Sequence, residues 1–144
     1  MIHLRAKDRE PKTCYLVTEK GILDYTVAPM QILTNMISSH VKVKRGTKQY
    51  KELKANIKEN GLLHPIIVMP NKYGNYLEAV RQVKNTTKFN KHRELLAYNG
   101  NQRLEVCREL GIDTIDCLLV ENVQWAHALQ LVLQDGVIVN EVAS

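Results

Sequence analysis

The chain has 144 residues, of which 44% are hydrophobic and 24% charged, a composition typical of a globular protein and not of a disordered one. No stretch approaches the roughly 18 apolar residues that a membrane helix needs, and the first ten residues contain no apolar run of the kind found in a secretory signal. The net charge of +5 is unevenly distributed, since all 20 lysines and arginines stand at or before Arg108 and only acids follow.

The first part of the chain predicts a hairpin and a helix. Residues 13 to 27 read as two short strands around a glycine turn. A loop is expected from Pro29 to about Gly46. Residues 48 to 60 predict a helix, because apolar side chains recur on one face, and Gly61 ends it in the conformation that glycine adopts readily.

The middle of the chain predicts two strands with a basic connection between them. Residues 64 to 70, "HPIIVMP", read as a buried strand because β-branched residues dominate them. Residues 73 to 83 fit either a strand or a short helix. Residues 84 to 92 read as a loop or hairpin tip, and residues 94 to 98, "ELLAY", as the next strand.

The last part predicts helix, strand, helix and strand in turn. The first helix runs from residue 101 to 110, and Gly111 ends it. Residues 114 to 120, "TIDCLLV", form a third core strand. A nearly uncharged helix covers residues 123 to 133, and the tail at 137 to 143 reads as a final strand.

These elements predict an α/β (α+β) fold, with a mixed sheet flanked by helices in a single domain that spans residues 1–144. Its two special features are an extended basic loop at about 71–93 and an apolar C-terminal helix at about 123–134. The three cysteines are odd in number and lack metal-type spacing, so we expect reduced core residues and a cytoplasmic protein, in the host cytoplasm if a phage encodes it.

Two basic clusters lie in the first 108 residues, at 41–58 and at 81–93, and the second contains no acid. This asymmetry predicts a polyanionic partner, DNA or RNA, although a solvated lysine-rich surface is the alternative for either cluster alone. The candidate nucleic-acid-binding residues are Lys42, Lys44, Arg45, Lys48, Arg81, Lys84, Lys88, Phe89, Lys91 and Arg93.

The stretch "YNGNQRLEVCRELG" at residues 98–111 predicts a phosphate site. A helix that starts after Gly100 presents unpaired N–H groups and the positive end of its dipole. Arg103 adds a permanent forked charge, and Asn101 and Gln102 add neutral donors. Ordinary strand-to-helix punctuation would produce the same pattern, so spacing alone leaves both interpretations open.

The segments "LKANIKENGLLHPIIV" and "LLAYNGNQRLEVCRELGIDTIDCLLV" resemble the ParB-like N-terminal domain of the ParB/sulfiredoxin fold, of a stand-alone phage or mobile-element type. The resemblance covers about residues 25 to 122. It implies that the family's phosphate-binding turn falls on Gly100, Asn101, Gln102 and Arg103. It also implies a nucleotide-facing turn that includes Gly61, His64 and Pro65.

The sequence departs from this family at several points. Only Arg103 remains of two adjacent arginines, and Asn101 stands where sulfiredoxin needs its nucleophilic cysteine. The motif "ENVQ" at 121–124 resembles the partition family's metal-binding motif, but it precedes the helix that it normally follows. We interpret it as a coincidence.

The resemblance and the charge together predict a nucleic-acid-binding protein with a phosphate- or nucleotide-binding turn, and a candidate DNA-processing nuclease. The alternatives are a nucleotide-dependent hydrolase or kinase, and a non-catalytic adaptor that acts through its C-terminal helix. Glu105 and Glu78 are the candidate catalytic acids. The implied cofactors are a nucleoside triphosphate and a divalent cation such as Mg²⁺. The C-terminal helix, with Trp125, Leu129, Val132 and Leu133, is also the candidate surface for a homo-oligomer.

Overall fold

The computed structural model describes residues 2–39, 41–71, 76–85 and 95–135, apart from the side chains of residues 78, 79, 82, 84, 85 and 135. The strands are β1 (His3–Leu4), β2 (Lys12–Thr18), β3 (Gly21–Val27), β4 (Met30–Leu33), β5 (Ile37–Ser39), β6 (Ile66–Pro70), β7 (Leu95–Ala97) and β8 (Thr114–Leu119). The helices are α1 (Lys48–Asn60), α2 (Tyr76–Asn85), α3 (Asn101–Glu109) and α4 (Val123–Asp135), with a 3₁₀ turn at Thr34–Met36. Residues 86–92 of the predicted loop and the predicted tail strand lie outside the described residues.

Six strands form one mixed sheet around β8, whose residues are all buried. β1 and β6 run parallel to successive parts of β8, and β4 runs antiparallel along its other edge. β7 is antiparallel to β6 and parallel to β5, which completes the sheet. The predicted α/β class with a mixed sheet flanked by helices is therefore confirmed, and β2 and β3 form the predicted hairpin.

The two faces of the sheet bury different helices because side chains alternate along β8. On one face Cys117 packs with Leu104 of α3, and apolar residues of α2 lie against the same cluster. On the other face Leu118 packs with Leu129 of α4 and with Leu16 of the hairpin. α1 packs on the outer side of α3 through a third, smaller cluster.

Helix α1 begins and ends where its sequence predicts. The Thr47 hydroxyl accepts a hydrogen bond from the Tyr50 N–H at 3.1 Å, which satisfies one of the helix's unpaired donors. At the other end Gly61 has φ +79° and donates its N–H to the Ile57 carbonyl at 2.8 Å. Gly61 therefore turns the chain directly into the segment before β6.

Three predictions about secondary structure need correction or completion. The expected loop from Pro29 to Gly46 contains β4, the 3₁₀ turn and β5, whose short lengths give no periodic signal. β1 was not predicted, for the same reason. Helix α2 covers most of the ambiguous segment at 73–83, with Tyr76 on its core side and Leu77 76% exposed. The same helix lies within the predicted basic loop at about 71–93, so this part of the predicted loop is helical.

A buried carboxylate fixes the N-terminal segment against the sheet. Asp116 of β8 is fully buried and accepts hydrogen bonds from the Ala6 N–H at 2.7 Å and from Gln31 Nε2 at 2.6 Å. Arg9 contacts the same carboxylate, with Nε 2.9 Å from Oδ2. Because buried charges require such partners, residues 6 to 9 are held beside β8 and close to the turn before β6.

Within the described ranges, no helix combines the length and the apolar character that a membrane crossing requires.

Candidate functional site

A cavity of about 600 Å³ lies where the N-terminal segment, the end of α1, the turn before β6, the start of α3 and the end of α4 meet. This volume falls within the range of roughly 300–1,000 Å³ that small-molecule sites occupy. One part of its wall is apolar and comprises Leu53, Ile57, Leu62, Leu63, Val132 and Leu133. The polar part comprises Asp8, Lys12, Asn56, His64, Asn99, Arg103, Gln130 and Gln134.

The turn that starts α3 lies close to β6 and to the side chain of Arg103. Asn99 Oδ1 accepts a hydrogen bond from the Ile67 N–H at 2.8 Å, which ties the turn to β6. Gly100 caps the helix with φ +67°, a left-handed conformation that glycine adopts without cost. A β-carbon at this position would lie 2.5 Å from Ile66 Cγ2 and 2.8 Å from one terminal nitrogen of Arg103. Only glycine lets the turn and the arginine occupy this space together.

Arg103 joins the two predicted turns. Its Nη1 donates a hydrogen bond to the His64 carbonyl at 3.0 Å, and its guanidinium packs beside Gly100. The side chain is half-buried, and this burial lowers its pKa. Among the described residues no carboxylate forms an ion pair with it. A desolvated guanidinium whose described acceptor is a single carbonyl is suited to bind an anion.

The structure brings together part of the predicted phosphate site. Gly61, His64, Pro65 and Arg103 all line the cavity, although the two turns are some 40 residues apart in the sequence. Gly100 lies directly against Arg103. The remaining two predicted residues do not line the cavity: Asn101 is 8% exposed and Gln102 is exposed to solvent at the start of α3.

Two charged residues of the cavity were not predicted. Asp8 and Lys12 come from the N-terminal segment, and Lys12 Nζ lies 2.7 Å from Asp8 Oδ2. The Asp8 N–H donates to the Leu63 carbonyl at 3.0 Å, which holds the segment along the turn before β6. His64 Nδ1 is 3.5 Å from the same carboxylate oxygen. In the sequence Asp8 and Lys12 are marked only by being four residues apart, and this spacing does not indicate a site.

The candidate catalytic acids lie elsewhere. Glu105 does not line the cavity; its carboxylate accepts a hydrogen bond from Arg45 Nε at 3.0 Å, and this contact raises the pKa of Arg45. Glu109 continues the same network with Lys54, whose hydrogen bond lowers the pKa of Glu109. These ion pairs join α1 and the preceding loop to α3. Glu78 belongs to α2, but its side chain lies outside the described residues.

The cysteines are buried and unpaired by disulfides, as the sequence predicts. Burial raises the pKa of Cys107 to about 11, and it raises the pKa of Cys117 as well. Both thiols are therefore protonated at neutral pH and poor nucleophiles.

The predicted basic surface is described in part. Lys42, Lys44 and Lys48 are exposed on the loop before α1 and on its first turn. Arg45 is exposed beside them but is ion-paired, and Arg81 is exposed on α2. The side chain of Lys84 and the whole of Lys88, Phe89, Lys91 and Arg93 lie outside the described residues.

The predicted interface on α4 divides between the core and the cavity. Leu129 is fully buried, and Trp125 stacks on Tyr25 with ring centroids 5.1 Å apart. Val132 and Leu133 line the cavity instead of forming a separate patch. The carboxamide oxygen of Asn122, in the "ENVQ" motif, accepts a hydrogen bond from the Trp125 N–H at 3.0 Å and so caps the helix.

The described lining of the cavity offers a divalent cation at most one carboxylate ligand. Mg²⁺ is bound in proteins mainly by carboxylates, together with phosphates and water. Asp8 is the one carboxylate among the described lining residues, and it is already paired with Lys12. The described part of the chain also contains no cluster of three His, Cys, Asp or Glu residues that could hold a metal ion.

No protein-family model matches the chain, and no curated protein does. Among solved structures, the fold is similar to a C-terminally truncated chromosome-partitioning protein ParB from Caulobacter crescentus complexed with CTP-gamma-S. That match has a TM-score of 0.49 and 16% identity, and it covers 77% of this chain and 54% of the ParB chain. Sulfiredoxin from Arabidopsis thaliana is similar with a TM-score of 0.44 and 20% identity, over 69% of this chain and 91% of the other.

Both of these solved structures have the ParB/sulfiredoxin fold that the motifs of this chain resemble. The chain spans about half the length of the ParB chain that it matches.

Proposed function

We propose that this protein binds a nucleotide through its phosphate in the cavity, and that it binds nucleic acid on its lysine- and arginine-rich surface. The observation that best supports the first part is Arg103, a half-buried guanidinium that lines the cavity without a described carboxylate partner. The adjacent start of α3 adds the positive end of a helix dipole. The apolar wall and the amide side chains of the lining suit a planar base with polar edges.

Replacement of Arg103 tests the phosphate contact. Arg103→Ala should weaken nucleotide binding by about 1.5–3 kcal/mol, the scale of a charge-assisted hydrogen bond. Isothermal titration with the mono-, di- and triphosphates of cytidine and adenosine measures this loss. Arg45→Ala is the matched control, because it removes an arginine that contacts α3 outside the cavity.

Two outcomes would contradict the proposal. If the wild-type protein binds none of these nucleotides, the cavity is not a nucleotide site. If Arg103→Ala and Arg45→Ala bind equally well, the phosphate does not contact Arg103. Arg103→Lys adds a graded test, because lysine keeps the charge but loses the planar fork.

The proposal of nucleic-acid binding rests on the two basic clusters at 41–58 and 81–93, and the dependence of affinity on salt concentration tests it. Alanine at Lys84, Lys88, Lys91 and Arg93 should flatten the slope of log affinity against log salt by about 3 to 4 units, near one for each lost phosphate contact. Fluorescence anisotropy with a labelled oligonucleotide at several salt concentrations measures the slope. An unchanged slope would move the nucleic-acid surface to residues 41–58, where alanine at Lys42, Lys44 and Lys48 provides the comparison.

A further inference from the structure

The charges around the cavity are few and are arranged unequally. Among the described lining residues there are two basic side chains, Arg103 and Lys12, and one carboxylate, Asp8. Lys12 is paired with Asp8 at 2.7 Å, whereas Arg103 contacts a carbonyl. The cavity therefore offers one positive charge that no described acid compensates, on the side of the α3 turn.

Asp8 is a fixed negative charge in the same lining, on the N-terminal segment. Its backbone is hydrogen-bonded to the turn before β6, and its Oδ1 accepts the Glu10 N–H at 3.1 Å. The hydrogen bond from Lys12 and that from Glu10 lower the pKa of Asp8, so the carboxylate is ionised at neutral pH. His64 connects the two charges, since its carbonyl contacts Arg103 and its ring faces Asp8.

We propose that the cavity takes a nucleotide with a single phosphate group, bound without a divalent cation, and that Asp8 determines this specificity. The inference rests on the proposed nucleotide site and names its ligand class. A single phosphate carries a charge of about −1.5 to −2 and is matched by Arg103 with the start of α3. Each further phosphate adds negative charge that Arg103 alone does not balance, and Asp8 keeps Lys12, the other cation of the described lining, in an ion pair.

Triphosphate sites usually meet this excess charge with a metal ion that carboxylates and phosphates share. Here the carboxylate that could contribute is engaged by Lys12. A nucleoside monophosphate and the 5′ end of a single-stranded oligonucleotide both present a single phosphate group. Both are therefore used as probes, because a comparison of their affinities distinguishes a free nucleotide from a nucleic-acid end.

The test is isothermal titration of the full chain with CMP, CTP, AMP, ATP and a 5′-phosphorylated dinucleotide, each with Mg²⁺ and with EDTA. We expect each monophosphate to bind at least about tenfold more tightly than the matching triphosphate, with no change on addition of EDTA. Tighter or Mg²⁺-dependent triphosphate binding would overturn this inference but leave the nucleotide site intact. Absence of binding by every probe would remove both.

Two variants separate specificity from structural damage. Asp8→Asn should raise triphosphate affinity relative to monophosphate affinity by on the order of tenfold, because Lys12 loses its ion-pair partner and becomes available to a further phosphate. Lys12→Met should shift the same ratio in the opposite direction, because it leaves Asp8 uncompensated. A disturbance of the turn alone would move the ratio the same way in both variants or not at all, and either result would rule out Asp8 as the determinant.

Discussion

Asp116→Asn is expected to lower the free energy of unfolding by about 2–4 kcal/mol, as loss of a buried, multiply hydrogen-bonded charge does. Both oxygens of the carboxylate accept hydrogen bonds, from the Ala6 N–H, the Gln31 amide and the Arg9 guanidinium. An asparagine would replace one of these oxygens with an NH₂ group, which would then face at least one of these donors. The loss is smaller than that of a fully buried ion pair because the Arg9 side chain is 38% exposed and can turn toward water.

Denaturant unfolding at neutral pH measures this loss, with Asp113→Asn as the control. Asp113 also accepts a hydrogen bond from the N-terminal segment, from the Ile2 N–H at 2.7 Å, but at an exposed position. Asp113→Asn should lower the free energy of unfolding by less than about 1 kcal/mol, because water can replace the lost partner. Equal losses in the two variants would mean that Asp116 does not anchor residues 6 to 9.

The sequence predicted those parts of the fold that rest on local signals. The helix at 48–60 carries an apolar face and a glycine stop, and the hairpin at 13–27 carries alternation around a turn. Gly61 was predicted to end its helix in a left-handed conformation, and it has a positive φ. The two turns at Gly61 and Gly100 were predicted from their resemblance to a family's motifs, and Gly100 also has a positive φ.

The other half of the cavity depends on contacts that are distant in the sequence. The N-terminal segment reaches the turn before β6 because Asp116, 110 residues after Ala6, binds its backbone. Neither Asp8 nor Lys12 carries a local pattern that would reveal this. A short strand of two residues, such as β1, also leaves no periodic trace, so its position beside β8 follows from pairing alone.

Charged residues were the least predictable from the sequence. Arg45 was assigned to nucleic acid and Glu105 to catalysis, but the structure joins the two in one ion pair. Their separation of 60 residues hides this partnership. The composition of a surface therefore predicts the sign of a partner's charge better than it predicts which side chains are available to it.

Gly100→Ala is expected to lower the free energy of unfolding by about 2–5 kcal/mol and to abolish nucleotide binding in the folded fraction. A left-handed φ costs an L-residue roughly 1–2 kcal/mol, and overpacking adds about 1–3 kcal/mol. The overpacking arises because the new β-carbon would lie 2.5 Å from Ile66 Cγ2, which belongs to a buried strand and has little room to move.

Gly111→Ala isolates the backbone part of this effect. Gly111 has φ +72°, close to the +67° of Gly100, but a β-carbon there would meet no heavy atom within 4 Å. It should therefore cost about 1–2 kcal/mol and leave nucleotide affinity unchanged. Denaturant unfolding and titration of both variants give the comparison. The guanidinium of Arg103 must leave its place beside Gly100 when the methyl group is added. Equal nucleotide affinities in the two variants would therefore show that phosphate binding does not depend on this turn.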